Sequence, residues 1–82
     1  MPKELVIEKV QFILSVDDAV VFDLKDREEY WVITKENLRI KDDGILCGIL
    51  ENGNLVKHEL LTYDMIDRVI THFDFMYEVL GV

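Results

Sequence analysis

The chain predicts an α+β fold, an antiparallel sheet of about five strands in hairpins or a meander, with one C-terminal amphipathic helix packed on one face. Three observations carry this expectation. Asn52-Gly53 joins two apolar runs, as a tight hairpin turn does. The segments before residue 62 are rich in β-branched and aromatic residues at a spacing of two. From Tyr63 the apolar spacing changes to that of a helix.

Residues 5–16 read as a long strand, with Val6, Val10, Phe12, Leu14 and Val16 on one face. Asp17-Asp18-Ala19 is the following turn. Val20–Leu24 is the second strand, with Val20, Phe22 and Leu24 sharing a face and Val21 and Asp23 on the other. Residues 25–28 turn the chain, and Glu29–Thr34 form the third strand. Residues 34–37 are a turn or a short bulge, and 38–41 continue extended. Asp42-Asp43-Gly44 is a turn, where glycine supplies a positive φ. Ile45–Leu50 and Leu55–Leu61 are the two arms of the Asn-Gly hairpin. Thr62 caps a helix running from Tyr63 to Leu80, closed by Gly81. Its core stripe is Met65, Ile66, Val69, Ile70, Phe73, Met76, Tyr77 and Leu80.

The 82 residues form a single domain spanning 1–82, half of it apolar at 50%. So short a chain has a thin core, and exposed apolar surface favours a homodimer. The single cysteine, Cys47, lies in an apolar strand and has no internal partner, which fits a cytoplasmic location. No signal peptide is visible, and no apolar run approaches the roughly 20 residues of a membrane span.

Chemistry finds little support. His58 and His72 lie on different elements, with no spacing that suits zinc. Asp17-Asp18 and Glu28-Glu29 are neighbours whose side chains diverge on a strand. Asp42-Asp43-Gly44 lacks the remaining ligands of a calcium loop. The only serine, Ser15, sits among apolar residues. No enzyme activity, metal or cofactor is expected.

Charge is the more informative signal. The net charge is −8, which argues against direct contact with nucleic acid or an anionic membrane. Residues 17–29 hold six carboxylates against two basic residues, a net of −4 in 13 positions. Asp17, Asp18, Asp23, Asp26, Glu28 and Glu29, with Tyr30 or Trp31 beside them, form the expected contact with a partner's basic surface. On the predicted helix, His72, Phe75, Met76 and Val79 lie off the core stripe at i, i+3, i+4 and i+7, the spacing of a self-association surface.

The expected function is therefore a small acidic protein-binding module, a regulator or inhibitor that docks on a basic surface of another protein. One alternative is a nucleic-acid mimic of phage or mobile-element type, with carboxylates standing in for phosphates. Another is a small-molecule sensor, with its ligand between helix and sheet near Trp31, Tyr63 and Tyr77.

Overall fold

The computed structural model describes residues 1–81. It is α+β, with two helices and six strands in two antiparallel sheets. Helix α1 spans Lys3–Val16. Strands β1 (Ala19–Leu24) and β2 (Tyr30–Thr34) follow, then a 3₁₀ turn at Lys35–Asn37 and β3 (Leu38–Ile40). Strands β4 (Gly44–Glu51) and β5 (Asn54–Thr62) make the long hairpin. A second 3₁₀ turn at Tyr63–Met65 leads into β6 (Ile66–Ile70) and helix α2 (His72–Leu80). One sheet has the order β2-β1-β6, the other β3-β4-β5, and the 3₁₀ turn at 35–37 is the corner between them.

Two expectations about the chain's ends are corrected. Residues 5–16 are not a strand: they belong to α1. The positions that pack against or into the core are 6, 7, 10, 13 and 14, a helical spacing. Leu5, Phe12 and Val16, which supplied much of the two-residue period, are exposed. Here tertiary packing overrides the β preference of the branched side chains.

Residues 63–80 are not one helix. Strand β6 takes 66–70, and α2 begins only at His72. The cause is a β-bulge. Asp23 faces Arg68 while Leu24 faces Ile66, so Asp67 is an extra residue on β6. That insertion places two inward side chains, Ile66 and Val69, three positions apart and imitates a helical repeat. Thr71, not Thr62, caps α2: its hydroxyl oxygen accepts from the Asp74 amide at 3.0 Å. Gly81 ends the helix in the left-handed conformation, φ 67°.

The strands expected at 20–24, 29–34 and 38–41 are present with small changes in boundary. The hairpin turn has positive φ at both Asn52 (52°) and Gly53 (81°), which matches the twist of the flanking strands. Gly44 opens β4 and has no positive φ. A Cβ there would lie 2.2 Å from the Leu61 carbonyl oxygen, so glycine is required by close approach rather than by a turn.

The first sheet separates two packing environments. Its inner face carries Val20, Phe22, Leu24, Ile33, Val69 and Ile66 against α1 and the second sheet. The N-terminal ammonium of Met1 donates to the Ile66 carbonyl at 2.8 Å and ties the start of α1 to β6. The outer face carries Val21, Asp23, Tyr30 and Arg68, and α2 lies across it. No residue of α2 is buried, so the helix is held by few contacts.

Candidate functional site

The β1–β2 pair distributes the acidic segment. Asp17 and Asp18 lie exposed where α1 gives way to β1. Asp26, Glu28 and Glu29 lie exposed in the turn at its other end. At a strand rise of about 3.3 Å per residue, roughly 20 Å of β1 separates the two groups. Asp23, between them, is half-buried on the outer face. Its carboxylate accepts from Arg68 Nε at 2.9 Å. Arg68 also donates from both terminal nitrogens to Glu78 on α2, at 3.1 and 2.9 Å. This fork holds the Glu78 carboxyl below its ordinary range.

Tyr30 and Trp31 point to opposite faces, as alternation on a strand requires. Both are half-buried. Tyr30 faces α2, its ring centroid 5.1 Å from that of Phe75 with the planes tilted 56°. His72 stacks on Phe75, with ring centroids 6.1 Å apart and planes 17° apart. Phe75 and Met76 are therefore turned toward the sheet. His72 and Val79 remain exposed, but the four residues do not form one free surface.

Trp31 faces a cleft of about 400 Å³ where the edge strand β2 meets the β4–β5 hairpin. Ile33, Gly48 and Ile49 supply apolar lining, and Asn37, Lys57 and Glu59 polar groups. Asn37 is oriented by its amide, which donates to the Thr34 hydroxyl at 2.7 Å. A side chain at Gly48 would crowd Asn37 and Leu55. The guanidinium of Arg27 lies 6.0 Å from the Trp31 ring centroid. Its Nη1 is 3.3 Å from Glu29 and 3.8 Å from Glu59. Lys57 approaches the other oxygen of Glu59 at 3.7 Å.

Two other aromatics lie outside this cleft. Tyr63 is buried and donates from its hydroxyl to the Lys41 carbonyl at 2.6 Å. Tyr77 is exposed on α2. Trp31, Tyr63 and Tyr77 thus do not line a common pocket between helix and sheet.

The remaining candidate groups are dispersed. Cys47 is fully buried, and burial together with the nearby Glu59 carboxylate pushes its thiol up to about 12. His58 is exposed on β5. Among the described residues, no three His, Cys, Asp or Glu side chains converge as a metal site. No described helix is long and apolar enough to cross a membrane. Comparison with protein-family models, characterised proteins and solved structures finds no match.

Sequence reasoning missed Glu59 in the cleft lining and Arg27 over the Trp31 ring. A signal for Glu59 was available, because it shares a strand face with buried Leu61. Arg27 had none, since its position over Trp31 depends on how the turn folds back. Phe73, Tyr77 and Leu80 were assigned to the core stripe and are instead exposed.

Proposed function

We propose that this chain is a non-enzymatic protein-binding module that receives an arginine-bearing segment of a partner at the Trp31 cleft. One observation carries the reading. The chain's own Arg27 lies over the Trp31 ring with carboxylates of Glu29 and Glu59 on its guanidinium. An indole face bordered by carboxylates is the environment a guanidinium prefers. The cleft beside it is open and has an apolar lining. Asp26 and Glu28 are exposed on the same turn, where they add attraction for a basic partner. The side chain of Arg27 is 44% exposed, so it can swing aside as a partner's arginine enters. The nucleic-acid-mimic reading draws less from this arrangement, because β1 splits the carboxylates into two groups.

Trp31 is the only tryptophan, so its emission reports on the cleft directly. Titration with an oligo-arginine peptide should give a saturable change in emission, weakened by salt. Oligo-lysine should bind less tightly, because an ammonium cannot stack on the ring as a planar guanidinium does. Replacing Glu29 and Glu59 together by Gln should weaken oligo-arginine binding and reduce its dependence on salt. An unchanged emission, or oligo-arginine binding that the double substitution leaves intact, refutes the proposal.

A further inference from the structure

We propose that the outward face of α2 pairs with the same face of a second copy in a two-fold, antiparallel helix contact. The helix sits on the sheet by Phe75, Met76 and the Glu78–Arg68 fork. Its opposite side carries Phe73, Tyr77 and Leu80 at i, i+4 and i+7, exposed by 76, 65 and 60%. Val79 adds an edge at 47%. A helix with its larger apolar stripe turned away from its own domain has an unfilled contact.

Area and charge both point to a second copy. Aromatic side chains bring roughly 150–250 Å² each and the aliphatic ones less, so these exposures amount to roughly 450–500 Å² per copy. A symmetric pair would then cover about 900–1,000 Å² from the helices alone, close to the ~1,200 Å² at which stable interfaces begin. A groove adjoins the first turn of α2, its apolar lining Phe12, Ile13, Val69 and Ile70 edged by the charged side chains of Glu8, Lys9 and Asp74.

Centring the two-fold between Met76 and Tyr77 sets Phe73 against Leu80 of the partner subunit. A two-fold antiparallel pair brings like flanks together, so Asp74 lies beside Glu78 of the partner subunit. The helix's other carboxylate, Glu78, is held by Arg68 within its own domain. A basic amphipathic helix would seek acids on both flanks of the stripe. Here Asp74 and Glu78 flank one side only, while the other carries His72, Met76 and Val79. This contact is apolar and joins two chains of like net charge, so salt should strengthen it, opposite to its effect at Trp31.

The test is light scattering with size-exclusion chromatography on the whole chain, from dilute solution to about 1 mM at low and high salt. The mass should rise from 9.6 kDa towards twice that value with concentration, and at lower concentration in high salt. Phe73→Glu and Leu80→Glu, both at exposed positions, should raise the dimer dissociation constant at least ~10-fold with an unchanged circular dichroism spectrum. Asp74→Asn should strengthen the dimer by removing its repulsion with Glu78 of the partner subunit. A wild type that stays at 9.6 kDa throughout overturns the proposal and leaves the face to a different protein. A dimer indifferent to Phe73→Glu and Leu80→Glu also overturns it, and one weakened by Asp74→Asn overturns the antiparallel register.

Discussion

Replacing Gly44 by Ala tests the close packing at the start of the β4–β5 hairpin. The added Cβ would lie 2.2 Å from the Leu61 oxygen, 2.8 Å from its carbonyl carbon and 2.9 Å from the Thr62 Cα. All three are backbone atoms, so no side-chain rotation relieves the clash. Carbon–oxygen contacts between strands settle at about 3.3–3.6 Å, which requires the strands to part by about 1 Å. A ladder hydrogen bond does not survive that displacement. Losing two such bonds at about 1 kcal/mol each, with overpacking of about 1–3 kcal/mol, gives an expected destabilisation of roughly 3–5 kcal/mol. The strain falls beside Ile45 and Leu61, both fully buried, and beside the Lys41 amide that donates to the Gly44 carbonyl at 2.9 Å.

Urea denaturation followed by circular dichroism measures the effect. With a slope of about 1 kcal/mol per molar urea, the midpoint should fall by about 3–5 M. Gly53→Ala is the comparison. It strains a φ of 81° but meets no atom within 4 Å, so it should cost only about 1 kcal/mol. A Gly44→Ala variant no less stable than Gly53→Ala would refute the close-approach explanation.

Two further outcomes are expected. Phe75→Ala should destabilise by about 1–3 kcal/mol, because it removes the ring that seats α2 on Tyr30. Phe73→Ala, measured at low protein concentration, should stay within about 0.5 kcal/mol, and the reverse order would show that α2 docks by its other side. For Cys47, the unfolded thiol ionises near 9.0 and the buried one only at about 12. Between those values the unfolded chain has released a proton that the folded chain keeps, so stability falls as pH rises, by at most ~1.4 kcal/mol per pH unit. Cys47→Ala should remove this component, and equal pH slopes for wild type and variant between pH 9 and 11 would contradict the assignment.

Local physics made part of this fold legible. Asn52-Gly53 announces its hairpin because both turn residues need positive φ, and few other pairs accept it. Alternation in β1 places Val20, Phe22 and Leu24 inward, as their burial shows. The errors have specific causes. Residues 6, 7, 10, 13 and 14 fit a helix, but the exposed Phe12 and Val16 completed a competing strand pattern. At the other end, the bulge at Asp67 gave β6 a helical spacing and set the wrong phase for α2.

The α+β class, the central hairpin, the acidic balance and the burial of Cys47 follow from composition or from residues close along the chain. Three-dimensional packing sets the rest: β1 divides the acidic segment, Arg27 and Glu59 meet at Trp31, and α2 turns Phe75 inward and Phe73 outward. Those outcomes depend on strand pairing between distant residues. A single extra residue in one strand reverses which side chains face the core, and a periodicity read along the chain does not register it.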